Sequence, residues 1–136
     1  MRDAETNADD AFRSVCGSLR KAGLVEPGEP GLRLDGEPAI SVMILPGEGQ
    51  PGMLESLLCE TFAGDDRRAC VDEFLACAEK VQGKAHPRRA KARAHAFLAT
   101  TPDPHLSVGY AAKRGHWDFE HVALAPLRCF LADIAV

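Results

Sequence analysis

The side chains best suited to chemistry in this sequence are charged, and the two signs are separated along the chain. Residues 1–83 hold 16 Asp and Glu against 8 Lys and Arg, whereas residues 84–136 hold 4 against 8. Carboxylate oxygens suit hard divalent cations, and basic segments suit phosphate. The basic excess lies in one segment that contains no acid: Lys84, Arg88, Arg89, Lys91 and Arg93. This segment predicts either nucleic-acid phosphate contacts through Arg88, Arg89 and Arg93 or a solvated basic surface.

The cysteines and histidines lack the spacing of a metal site. There are five of each, with no Cys-x-x-Cys pair, and the histidines lie 5 to 11 residues apart. Structural zinc sites need closely paired ligands. We therefore expect the cysteines to be reduced, buried thiols that pack as small hydrophobic groups.

Length and composition indicate a single globular domain. The 136 residues are 46% hydrophobic, which suffices for a packed core but not for two full domains. No apolar run is long enough for a membrane-spanning helix, and the first residues lack a signal-peptide core. We expect one cytoplasmic domain over residues 1–136, in which residues 24–38 and 84–90 are loops.

One segment carries the signature of a buried strand. Residues 39–45 are almost continuously apolar and end at Pro46-Gly47, as in a parallel sheet covered by helices. The Gly/Pro loop 46–52 and a helix over 53–62 follow, which places the loop at the carboxyl end of a strand, where α/β proteins bind ligands.

Helical periodicity accounts for most of the remaining chain. The predicted helices cover residues 7–23, 53–62, 65–83, 91–100, 107–114 and 122–134. On the third, Val71, Phe74, Leu75, Ala78 and Val81 form one apolar face. We predict an α/β fold with a small, mainly parallel sheet flanked by helices. One buried strand needs neighbours, which must come from residues 24–38, from sequence before residue 1, or from a second chain.

Several segments together resemble an uncharacterised bacterial family related to the Toprim (topoisomerase–primase) domain of overcoming-lysogenization-defect nucleases. They are Arg2–Asn7, Leu45–Glu55, Lys91–Ala99 and the closing pattern Gly-x-Trp-x-x-x-His…Pro-Leu-x-x-Phe-Leu. The resemblance therefore covers most of the chain.

The resemblance implies a metal-dependent activity. In Toprim domains a strand-end glutamate and a later Asp-x-Asp motif hold Mg²⁺ for phosphoryl transfer at a nucleic-acid phosphodiester. The matching positions here are Asp3 and Glu5, so glutamate replaces the second aspartate. The expected cofactor is Mg²⁺ or Mn²⁺. The first glutamate has no counterpart in this chain, so we expect a fold that is incomplete at its N-terminus and inactive or weakly active alone.

Two further residues could serve such a site. Glu55, one turn inside the helix after the Gly/Pro loop, is either an additional metal ligand or an exposed helix glutamate. Lys91, four residues before His95, is either a catalytic residue that neutralises charge in the transition state or a solvated lysine.

The leading functional hypothesis is a Mg²⁺-dependent nucleic-acid phosphodiesterase related to Toprim nucleases. The alternative is a non-enzymatic interaction or oligomerisation module, in which a homodimer or a partner chain covers the strand edges. A small-molecule enzyme that uses the loop 46–52 is a third hypothesis, and no nucleophile and base at recognisable spacing support it.

Overall fold

The computed structural model describes residues 1–135, of which helices make up about half. The chain forms two compact units. The first comprises Met1–Leu54 and the segment that starts at Ala125, and the second comprises Glu55–Leu124. The α/β class and the small size of the sheet are confirmed. No helix within residues 1–135 combines the length and apolar character needed to cross a membrane.

The first unit contains four short strands. They are β1 (Arg2–Asp3), β2 (Arg33–Leu34), β3 (Ile40–Ser41) and β4 (Ile44–Leu45). The pair β1 and β4 is parallel, with Asp3 opposite Leu45, whereas β2 and β3 are antiparallel. The expected parallel pairing therefore holds for one of the two pairs.

The apolar run 39–45 is divided between the two sheets rather than forming one strand. Val42, Met43, Ile44 and Leu45 are buried as expected. However, β3 pairs with β2 and β4 pairs with β1, so the chain changes partners at Val42 and Met43. The Val42 carbonyl between the strands accepts a hydrogen bond from the Gly31 N–H at 2.7 Å. The single predicted strand is wrong because each half meets a different neighbour.

Helix α1 (Ala8–Lys21) covers the parallel pair. Its start is fixed by the Asn7 side chain, which accepts a hydrogen bond from the Asp10 N–H at 3.1 Å. It ends before Gly23, whose φ of +73° suits glycine. One core cluster unites the helix with the strands: Ala4, Ala8, Ala11, Val42 and Ile44, with Phe12, Val15, Leu19 and Ile40 packed against it.

The remaining helices follow the predicted order. They are α2 (Leu54–Thr61), α3 (Arg67–Gln82), α4 (Arg89–Ala99), α5 (Val108–Lys113), a short 3₁₀ helix (Val122–Leu124) and α6 (Ala125–Ile134). Within the second unit, α3 packs on α4. Its core contains Phe62 and Phe97, stacked with centroids 4.0 Å apart, and Trp117, 5.9 Å from Phe97.

Replacing Trp117 by alanine is expected to lower the free energy of unfolding by about 3–5 kcal/mol. The side chain is buried, and its indole N–H donates to the Val108 carbonyl at 3.1 Å. The matched control is Tyr110→Ala, because Tyr110 is 65% exposed in the same unit and should change the unfolding free energy by about 0.5 kcal/mol or less. Urea denaturation followed by far-UV circular dichroism measures both, and equal effects would contradict the prediction.

Candidate functional site

Asp3 lies at the carboxyl end of the parallel strand pair. It is the last residue of β1, opposite the last residue of β4, and its side chain is half-buried. Its Oδ1 accepts a hydrogen bond from the Leu54 N–H at 3.0 Å. Leu54 is the first residue of α2, so the carboxylate satisfies an N–H group that has no partner within the helix. The Asp3 side chain is therefore held in place by the fold.

Glu5 lies where the loop 46–52 returns to the strand. Its N–H donates to the Gly52 carbonyl at 2.7 Å, and the Gly52 N–H donates to the Glu5 carbonyl at 2.8 Å. These bonds close the loop onto the end of β1. The Glu5 side chain is exposed, and its φ of +53° is uncommon for a residue with a side chain. Two acidic residues thus lie at or just beyond the end of β1.

Asp3 and Glu5 do not belong to a larger cluster of metal-ligating side chains within residues 1–135. In residues 1–135, no group of three or more His, Cys, Asp or Glu side chains is arranged to hold a metal ion. A cation at Asp3 and Glu5 would therefore depend on water or substrate oxygens for its other ligands. Mg²⁺ commonly binds in this way, through one or two carboxylates with water and phosphate oxygens.

Glu55 and Lys91, the two further candidates, belong to the second unit and pair with each other. The Lys91 Nζ lies 3.9 Å from Oε1 of Glu55. The Glu55 side chain is only 13% exposed, whereas that of Lys91 is 48% exposed. Each side chain therefore already has a partner of opposite charge. A role for Glu55 as a metal ligand, or for Lys91 in catalysis, stays a prediction and would compete with this ion pair.

Two of the three candidate phosphate-binding arginines are engaged within the second unit. Arg93 donates from Nε and Nη2 to the two carboxylate oxygens of Asp72, at 2.7 and 2.8 Å. The Nε of Arg89 donates to Glu79 at 3.2 Å. Arg88 is exposed, and its guanidinium makes no ion pair within residues 1–135. Arg88 is thus the arginine of this group that is best placed to meet a phosphate from outside.

The aromatic pair of the core is covered by two arginines. The guanidinium of Arg93 lies 5.4 Å from the ring centre of Phe62, and that of Arg67 lies 4.6 Å from the ring centre of Phe97. Hydrogen bonds from Arg67 lower the pKa of Asp65 to about 2. Arg67 pairs with Asp65 and Arg93 pairs with Asp72, and both guanidinium groups cover aromatic rings. These contacts indicate a structural role.

The clefts of the two units differ in chemistry. In the second unit, a cleft of about 250 Å³ is lined by Ser56, Cys59, Glu60, Arg89, Ala90 and Arg93. Burial raises the pKa of the Cys59 thiol to about 11, so this sulfur is protonated near neutral pH and is a poor nucleophile. In the first unit, a cleft of about 230 Å³ is lined by residues of α1, α6 and the loop 46–52, without Asp3 or Glu5.

The cysteines only partly follow the prediction. All five are free thiols, and Cys16 and Cys59 are buried. The other three, Cys70, Cys77 and Cys129, are exposed. Their helices carry apolar residues on more than one face, so the position of each thiol depends on which face packs.

The fold and site define an α/β protein with an acidic strand end and a basic segment of which three residues, Arg89, Lys91 and Arg93, are paired with carboxylates. The chain belongs to the family described as protein of unknown function DUF3226, whose model matches residues 1–135. Comparison with curated proteins and with solved structures finds no match. Membership of an uncharacterised family is thereby confirmed, whereas the relationship to Toprim domains stays a prediction.

The Arg93–Asp72 pair should make stability depend on pH in acid. Hydrogen bonds from Arg93 hold the pKa of Asp72 below its ordinary value. A lowered pKa in the folded state contributes stability that is present above the ordinary value and is lost as pH falls below about 4. Asp72→Asn is expected to lower the unfolding free energy at neutral pH by about 1–2 kcal/mol and to weaken this acid dependence.

Chemical denaturation between neutral pH and about pH 2.5 measures the effect. The control is Glu120→Gln, which removes one exposed carboxylate from the same unit. A variant of Asp72 that lost stability in acid as steeply as the unaltered protein would contradict the assignment.

Proposed function

We propose that this chain binds Mg²⁺ or Mn²⁺ through Asp3 and Glu5 as part of a metal-dependent nucleic-acid phosphodiesterase, and that the chain alone is at most weakly active. The observation that carries the proposal is the position of Asp3 at the carboxyl end of β1, paired in parallel with β4, with Glu5 two residues further on. This is the place at which the Toprim resemblance requires an acidic pair. The α/β class is compatible with that fold.

The donor atoms are of the right kind for these cations. Both are carboxylates, and hard cations favour oxygen ligands. The Leu54 N–H orients the Asp3 side chain, so this carboxylate loses little rotational freedom when it binds a cation. Glu5 is exposed and accessible. When bound, the cation would polarise phosphoryl oxygens and lower the pKa of a bound water. Two carboxylates alone predict weak affinity until substrate supplies further oxygens.

The basic segment supports nucleic acid as the substrate class, chiefly through Arg88. Its exposed guanidinium can neutralise a phosphate without first leaving a carboxylate of residues 1–135. Arg89 and Arg93 would have to leave Glu79 and Asp72, which makes them weaker contributors. Their direct phosphate contacts are therefore a less favoured part of the proposal.

The Asp3→Asn/Glu5→Gln double variant is expected to lose Mn²⁺ binding in a calorimetric titration of the whole chain. The asparagine retains an oxygen that can accept the Leu54 N–H, so helix capping is preserved while the ligand charge is removed. The control, Glu29→Gln/Glu37→Gln, removes two exposed carboxylates from the same unit and should bind as the unaltered protein does.

Loss of binding in both double variants would indicate general charge attraction rather than a site. Binding that survives in the Asp3/Glu5 variant would contradict the proposal. Weak cleavage of supercoiled plasmid by the unaltered chain in Mn²⁺, lost in the Asp3/Glu5 variant, would support the phosphodiesterase activity itself.

Arg88→Ala is expected to weaken binding of nucleic acid and to make that binding less sensitive to salt. Each lost phosphate contact lowers the slope of log affinity against log salt by about 1. Fluorescence anisotropy with a labelled duplex over a salt series measures the slope. The control is Lys113→Ala, an exposed cation on α5 outside the basic segment. Equal slopes for Arg88→Ala and the unaltered chain would exclude a phosphate contact at Arg88.

The second candidate function is an interaction module. Each of the two sheets in residues 1–135 has two strands, so every strand has one edge without a partner strand. Such edges can accept a strand from another chain. Absence of Mn²⁺ binding in the titration would leave this candidate as the better supported one.

A further inference from the structure

Helix α3 presents an apolar stripe to solvent. Four residues form it: Cys70, Phe74, Cys77 and Val81. Phe74 is 63% and Val81 84% exposed, and both cysteines are exposed. The expectation that Phe74 and Val81 share the buried face with Val71 is therefore wrong.

The stripe is a separate surface from the one that packs inside the unit. At about 100° per residue, its four members fall within an arc of about 60°, whereas the buried Val71 and Leu75 lie about 100° further round. The spacing of four, three and four residues is that of alternating a and d positions in a coiled coil. At a rise of about 1.5 Å per residue, the stripe is about 17 Å long.

Opposite charges flank the stripe on its outer side. Glu73 and Lys80 occupy equivalent positions, one heptad apart. Neither forms an ion pair within the described residues, whereas Asp72 and Glu79 on the same helix pair with arginines. A surface that holds both signs at equivalent positions can complement a copy of itself.

We propose that α3 is an interface between two copies of this chain, packed antiparallel about a two-fold axis. In this register Phe74 packs against the partner's Cys77, and Cys70 packs against the partner's Val81. Glu73 lies near the partner's Lys80, and symmetry repeats that pair. A parallel arrangement would place Glu73 beside the partner's Ala78 and Lys80 beyond the end of the partner's helix at Gln82, and would leave both charges unpaired.

The size of the stripe sets the strength of the dimer. Stable interfaces bury roughly 800 Å² on each partner, and one exposed face of a 16-residue helix provides less than that. The dimer should therefore dissociate on dilution. The proposal depends on neither the acidic pair nor the strand edges.

Sedimentation velocity of the reduced, full chain over a concentration series tests the proposal. The unaltered chain should shift from monomer to dimer as concentration rises, and Phe74→Glu should weaken the dimer at least about tenfold, because it buries charge at the centre of the interface. The matched control, Tyr110→Glu, alters an equally exposed aromatic residue on α5 and should associate normally. Circular dichroism establishes that both variants are folded.

Charge reversal tests the antiparallel register. Glu73→Lys and Lys80→Glu should each weaken the dimer by about tenfold or less, and the double variant should return to within about threefold of the unaltered chain. The two residues lie about 10 Å apart along one helix, so rescue requires pairing between chains. A monomer at every concentration, a dimer indifferent to Phe74→Glu, or reversal without rescue would overturn the proposal.

Discussion

The parallel pairing of β1 with β4 positions the two acidic residues, Asp3 and Glu5, and the start of the loop 46–52. Only two residues of each strand take part, and the Ala4 N–H extends the ladder by donating to the Leu45 carbonyl at 2.8 Å. Helix α1 covers the pair, and the loop 46–52 starts from β4 and returns to Glu5. A small number of backbone hydrogen bonds, protected by one apolar cluster, thus determines where both carboxylates lie.

Several charges of the basic segment are neutralised by carboxylates inside the second unit. The acidic residues of α3 pair with the basic residues of α4, through Asp72 with Arg93 and Glu79 with Arg89. A basic segment that looks like a binding surface in the sequence is therefore largely one side of a helix packing. Within residues 1–135, the members of the segment that make no ion pair, Lys84 and Arg88, remain for an external anion.

The helices could be predicted from local signals in the sequence. The strand pairing and the ion-pair partners could not be predicted in this way. Asn7 and Gly23 mark the ends of α1 through contacts with near neighbours, so its limits follow from the sequence. The division of residues 39–45 and the pairing of Glu55 with Lys91 depend on groups far away along the chain. Phe74 and Val81 fit the same apolar period as Val71, and the period alone does not indicate which part of this face packs within the unit.

The hydrogen bond between Asp3 and Leu54 joins the acidic strand end to the first turn of α2. A cation bound to this carboxylate, as proposed, would draw negative charge from it and so weaken the acceptor of the Leu54 N–H. Thermodynamic linkage would make this effect reciprocal, so loss of the Leu54 hydrogen bond would change the affinity of Asp3 for the proposed cation. The proposed cation and the Leu54 N–H would therefore be coupled through one shared carboxylate.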